Sequence, residues 1–135
     1  MLEMKYTALV TVAALALTFA LSGRVGAMRP RHGIDAPSMT GHPDFERANR
    51  THYNTIEQLV LFLPLLWLAS AVIGDLWAAA LGCVWILGRV IYAIAYQRDP
   101  AGRAPGMLVT LFPTAVLAIS VLWGVAQAFL GASGA

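Results

Sequence analysis

Four runs of apolar residues divide this chain, and its polar residues collect in the gaps between them. A bilayer-spanning helix needs about 20 predominantly apolar residues. The runs cover residues 6–22, 56–73, 76–96 and 107–130, each near that length. Asp75 marks a very short turn between the second and third runs. The segment Asp99-Pro-Ala-Gly-Arg-Ala-Pro-Gly106 divides the third from the fourth, its prolines and glycines stopping one helix and starting the next. Connections this short make the last three helices antiparallel neighbours. The pattern predicts an all-α membrane protein, a four-transmembrane-helix bundle forming one domain over residues 1–135. The second helix is expected to begin upstream of its apolar run, at about Asp44. The long connection, residues 23–45, holds Gly, three Pro, Ser, Thr and His and reads as an ordered, turn-rich loop. Pro64 and Pro113 fall inside apolar runs, where each removes a backbone hydrogen bond and is expected to kink its helix.

Composition closes off the soluble alternatives. Hydrophobic residues make up 59% of the chain and charged residues 12%, against roughly 45–50% and about 25% in soluble domains. A soluble chain this apolar would have no polar surface to expose. The first run can also be read as a cleaved signal peptide, because Lys5 precedes an apolar stretch ending in Ala-Leu-Ser-Gly. It is long for that role, and its loss would leave three spans. A single cysteine, Cys83, sits in an apolar run, where a buried and inert thiol is expected.

The net charge is only +2, but its placement is informative. Arg24, Arg29, Arg31, Arg47 and Arg50 lie between the first two runs, and Arg98 and Arg103 between the last two. With four spans these two gaps share one side, and cytoplasmic loops carry such an excess of Lys and Arg. The basic loops are therefore expected at the cytoplasmic face, in the inner membrane if the chain is bacterial. Arginines bordering membrane segments are not a nucleic-acid footprint. No metal-ligand set is read from the sequence.

Polar side chains at membrane depth carry the functional signal. Arg47, Arg50, Asn54 and Glu57 follow one another at steps of three, four and three, within roughly a quarter-turn of arc on one helix face. His52 points to nearly the opposite side. Arg89, Tyr92 and Tyr96 form a second stripe on the third helix, with Arg103 just past its end. Charge at the bilayer centre costs roughly 2.5–3.5 kcal/mol on insertion scales, so such groups pair, face water or hold a ligand. A plainer reading pairs Glu57 with Arg89, places both tyrosines in an interfacial belt and lets Arg47 and Arg50 snorkel to headgroups. Against it stands the amount of hydrogen-bonding capacity at one membrane face, more than one ion pair needs. A ligand with carboxylates, an amine and amides would match it, because arginine forks bind carboxylates and a carboxylate receives an ammonium. Glutathione has these features, and a guanidinium beside its thiol would favour the thiolate. The residues alone do not select it among polar ligands.

A resemblance does. Phe45-Glu-Arg-Ala-Asn-Arg-Thr-His-Tyr-Asn-Thr-Ile-Glu-Gln58, followed by Leu-Val-Leu-Phe-Leu-Pro64 and Trp67, resembles the signature of the MAPEG family, the membrane-associated proteins in eicosanoid and glutathione metabolism. Gly88-Arg-Val-Ile-Tyr-Ala-Ile-Ala-Tyr96 and Arg103 match the family's third-helix stripe, and Ala-Pro-Ser-Met-Thr-Gly-His-Pro-Asp-Phe-Glu-Arg47 is similar to bacterial members. The resemblance covers nearly the whole chain. It implies a homotrimer with glutathione as co-substrate, bound between neighbouring subunits in a cavity open to the cytoplasm. Arg50, Asn54, Glu57, Tyr92 and Tyr96 match glutathione contacts, and Arg29 a contact made from across the interface. Arg103 matches the arginine that stabilises the thiolate, while Arg47 and Arg89 are expected to orient the site.

The chain departs from the leukotriene-synthase-like members at Pro30, where some carry a second arginine, at Gln58, where they carry a tyrosine, and at His52, where they carry a glutamine. These changes argue against a dedicated eicosanoid synthase. The resemblance implies a membrane-bound glutathione transferase acting on a lipophilic substrate from the bilayer, or a glutathione peroxidase of lipid hydroperoxides by the same chemistry. Two rival classes stay open on sequence alone: a non-enzymatic trimer binding membrane lipid or glutathione, and a small transporter. Fold similarity alone does not separate them, although a transporter's paired half-helices or repeats are not found.

Overall fold

The structure, a computed structural model, describes residues 3–132; the outermost residues of the expected domain lie outside this range. Four long helices run in order: α1 (Lys5–His32), α2 (Pro43–Ile73), α3 (Asp75–Arg98) and α4 (Ala104–Ala132), with one 3-10 turn, Pro100–Arg103, before α4. All four are long and apolar enough to cross a membrane. The described residues include no strand. The chain is a four-helix membrane bundle.

The largest departure from expectation is in α1. Residues 23–32 continue the helix, and only residues 33–42 form the connection. Glycine inside a helix costs only about 1 kcal/mol, and here tertiary packing outweighs it. Leu21, Val25 and Met28 recur on one face and are buried, and Val25 and Met28 form a cluster with Ile34, Phe45 and Ala48. Gly33, with φ 65°, then closes the helix in the left-handed conformation. The Ile34 N–H donates to the Arg29 carbonyl at 2.9 Å. Arg29, Arg31 and His32 occupy the last turn, where the helix dipole favours positive charge. Helix α2 starts with His42 as its cap and Pro43 at the first position, its first turn carrying Asp44 and Glu46. Pro64 and Pro113 both lie within unbroken helices, the first exposed and the second buried.

The larger of two apolar clusters holds the middle of the bundle. Phe62 and Trp85 stack with centroids 4.2 Å apart and no exposed surface, among Val10, Ala14, Leu66 and Leu117. In lipid there is no hydrophobic drive between helices, so small residues that allow close approach do much of the packing. At Gly88 an added Cβ would come within 2.6 Å of the Thr110 backbone nitrogen, and at Gly106 it would overlap the Tyr92 backbone. Helices α3 and α4 therefore touch main chain to main chain. Three buried hydroxyls are satisfied inside their own helices: Thr51, Thr55 and Thr110 each donate to the carbonyl four residues earlier.

Opposite ends of the bundle are tied differently. At the end where α2 turns into α3, the Asp75 carboxylate accepts the Tyr6 and Thr7 N–H groups at 2.9 and 2.7 Å. It thereby caps α1 from another helix, satisfying two of the donors that any helix start leaves free. The Thr7 hydroxyl donates to Ser70 Oγ nearby, at 3.1 Å. At the other end, Arg47 Nη1 donates to the Gln97 carbonyl at 3.3 Å, and Gln97 Nε2 to the Asp44 carbonyl at 3.2 Å, joining the start of α2 to the last turn of α3. The outward surface is apolar, with Phe19, Val60, Trp77, Phe112, Leu122 and Phe129 all more than half exposed. Cys83 also lies on this outer surface, beside Leu76 and Ala79, and is not the buried thiol the sequence suggested.

Candidate functional site

Where α2, α3 and the start of α4 meet at the Arg47–Gln97 end, a concavity of about 250 Å³ is lined by Arg50, Asn54, Tyr92, Tyr96, Arg103 and Met107. Helical spacing accounts for its walls. Arg50 and Asn54 are four residues apart on α2, Tyr92 and Tyr96 four apart on α3, and Arg103 and Met107 four apart across the 3-10 turn into α4. The two phenol rings stack with centroids 5.5 Å apart. Tyr92 is held from behind on two sides: Gly106 lets α4 lie on its backbone, and Arg89 Cζ sits 4.2 Å from its ring centroid.

Arg89 does not line the concavity. It is 1% exposed and donates through Nη2 to Thr55 Oγ1 at 2.8 Å, and the Thr55 hydroxyl in turn donates to the Thr51 carbonyl. The Glu57–Arg89 ion pair of the plainer reading does not form. Among the described residues the one salt bridge joins Arg47 to Asp44 at 3.8 Å. Arg50 and Arg103 are exposed with no carboxylate in ion-pair range, and Arg103 is anchored only by donating to the Pro100 carbonyl at 2.9 Å. The turn that presents Arg103 is itself fixed by Asp99, whose carboxylate accepts the Ala101 N–H at 3.0 Å.

Asn54 donates through Nδ2 to Glu57 Oε2 at 3.2 Å, while its Oδ1 is buried with no hydrogen-bond partner. Gln58 Oε1, four residues along the same helix, is in the same condition. Buried acceptors in this state are rare and call for an explanation. Here two guanidinium forks, two phenols and the Asn54 side chain line one concavity. The arrangement suits a ligand bearing both carboxylate and N–H groups.

Of the residues singled out from the sequence, Arg50, Asn54, Tyr92, Tyr96 and Arg103 come together. Glu57 lies just outside as the partner of Asn54. Arg47 and Arg89 sit behind the wall, one joining helices and one under Tyr92. Arg29 is elsewhere: its guanidinium stacks on Phe45 at 5.0 Å and donates to the Ser38 carbonyl at 3.0 Å. Met107 and Thr55 escaped the sequence reading. Met107 sits one turn after Arg103, and Thr55 lies on the buried face with Leu59, Phe62 and Leu66.

The sequence matches the MAPEG family over residues 7–123. The chain belongs to the MAPEG family. It is similar to an uncharacterised protein of Synechocystis, 40% identical over 93% of this chain and 94% of that protein. It is also similar to human microsomal glutathione S-transferase 2, 34% identical over 79% of this chain and 73% of that protein. Guinea pig leukotriene C4 synthase is 34% identical over 72% of this chain and 65% of the synthase. Membership in MAPEG agrees with the four spans and supports glutathione-related transferase activity at the level of the family.

Proposed function

We propose that this chain is a membrane glutathione transferase that joins the glutathione thiolate to a lipophilic electrophile. The observation that carries the proposal is the gathering of two unneutralised arginines, Arg50 and Arg103, with the Asn54 side chain and two phenols around one concavity. Arg50 binds a carboxylate of the tripeptide, and the Asn54 amide lies against its backbone. Glu57 receives the ammonium, and Tyr92 and Tyr96 complete the polar wall. Arg103, on its short turn, faces the thiol. A guanidinium there favours the thiolate, the form that attacks, and the displaced proton passes to water. The sulfur then forms a bond to the electrophilic carbon, whose leaving group departs or whose adjacent atom takes up a proton. Holding both reactants in one cavity supplies part of the acceleration.

Met107 gives the site its second character. It lies between Arg103 and the lipid-facing residues Leu108, Leu111 and Phe112 of α4, so the concavity borders the bilayer surface. A lipophilic acceptor enters along that side. The polar side is open in the single chain, where Arg50 and Arg103 are exposed. A homotrimer would close it with a neighbouring copy carrying Arg29, and the basic loops would place it at the cytoplasmic face.

The deciding experiment uses the protein purified in detergent. Glutathione binding is measured by calorimetry, the bound thiolate by ultraviolet absorbance across pH, and conjugation with a generic aromatic electrophile. Binding, thiolate formation at lower pH than in free glutathione, and turnover are expected together. Binding with neither thiolate formation nor turnover would instead make the chain a glutathione-binding module.

A further inference from the structure

Away from the concavity, the helix ends that flank the 33–42 connection bring together three side chains with metal-binding chemistry. His32 lies in the last turn of α1, His42 caps α2, and Asp44 lies in its first turn. All three are half-buried, and each offers a ligand atom within 4.8 Å of the other two. The imidazoles stack with centroids 3.7 Å apart and planes 17° from parallel. We propose that His32, His42 and Asp44 form a binding site for a divalent transition-metal ion of the zinc type, which braces the α1–α2 connection. Two imidazoles and a carboxylate suit zinc among the common divalent ions, with water completing the coordination.

The geometry states what binding must change. Bonds of about 2.0–2.2 Å to a tetrahedral ion bring ligand atoms to roughly 3.3 Å of one another, closer than the present limit of 4.8 Å. An ion lies in the plane of each ring that binds it, so one imidazole turns out of the stack. His42 Nδ1 now accepts the Asp44 N–H at 3.2 Å, and ligation through either ring nitrogen ends that bond. Asp44 gives up its long contact with Arg47. All of these are side-chain adjustments at helix ends. The segment they would fix carries Ser38 and Met39, the two residues that receive the Arg29 guanidinium.

The chain has three histidines, so His52 serves as an internal control. Full-length protein with a histidine-free tag, stripped by a chelator, is titrated with Zn²⁺ alone by calorimetry and with Co²⁺ followed by visible absorption. One ion per chain is expected. His32→Gln and His42→Asn should each weaken Zn²⁺ binding by about tenfold or more, with His52→Ala unchanged. His42→Asn keeps a side chain that caps a helix well, so its loss of binding would not reflect an unravelled α2. Zn²⁺ should also raise the melting temperature of the parent protein but not of His42→Asn. Absence of binding at millimolar Zn²⁺, or binding that survives in the His32→Gln/His42→Asn double variant, would overturn the proposal.

Discussion

At the end of the bundle where α2 turns into α3, the Asp75 carboxylate is fully engaged by two N–H groups of α1. At the opposite end, Arg50 and Arg103 stand exposed without a carboxylate, and the Asn54 carbonyl oxygen is buried without a donor. Both ends hold polar groups in a membrane bundle, and both incur the cost of placing them there. One end offsets that cost with bonds inside the chain. The other leaves two guanidinium charges without a carboxylate. Polar groups that satisfy one another explain stability, whereas those left unsatisfied together in one concavity point to something they bind. The number of charges does not separate the two cases, but the disposition of their hydrogen bonds does.

This contrast can be broken by substitution. The largest effect is expected at Arg103, where Arg103→Ala should lower glutathione-dependent conjugation by about 100-fold or more, the scale for removing one electrostatic stabiliser. Its melting temperature should be nearly unchanged, because the side chain is exposed and its hydrogen bond goes to the Pro100 carbonyl of its own turn. Unaltered turnover would remove Arg103 from the mechanism. Next comes Gly106→Ala, which forces α4 off the Tyr92 backbone and should cost about 1–3 kcal/mol by overpacking. That variant should lose both heat stability and glutathione affinity, the one place where the two ends of the comparison merge. A variant that lost stability with affinity intact would show that the α3–α4 contact does not position the tyrosine. The smallest effect is expected at Asp75. Asp75→Ala removes the cap of α1 and should lower the melting temperature by several degrees while leaving turnover per folded molecule unaltered. A fall in specific activity there would mean that the two ends are mechanically coupled.

The fold was legible where apolar runs are long, and least so where local composition and tertiary packing disagree. Four spans followed directly from run length. The last ten residues of α1 did not, because Gly23, Gly26 and Pro30 resemble loop residues until Val25 and Met28 are seen packing on Phe45. Helical spacing placed Arg50 with Asn54 and Tyr92 with Tyr96 correctly, as partners across a helix turn. It also put Arg47 and Glu57 on the same stripe, whose end members bond to near neighbours, Arg47 to the Gln97 carbonyl and Glu57 to Asn54. Thr55 as the partner of Arg89 had no signal of its own, since a threonine four residues after another usually bonds only to its own helix. Met107 was hidden by belonging to the next apolar run.

Gly106 bears on how such a site can diversify. Because α4 rests on the Tyr92 main chain there, the gap between the tyrosine and the Arg103 turn is a backbone dimension. Exchanging side chains around the concavity leaves that gap where it is. The width of the polar half of the cavity is thus set by the bundle, whereas Met107 and its lipid-facing neighbours can vary without disturbing it. On the proposed transferase reading, a lineage built on this frame keeps one reactant constant and is free to change the other.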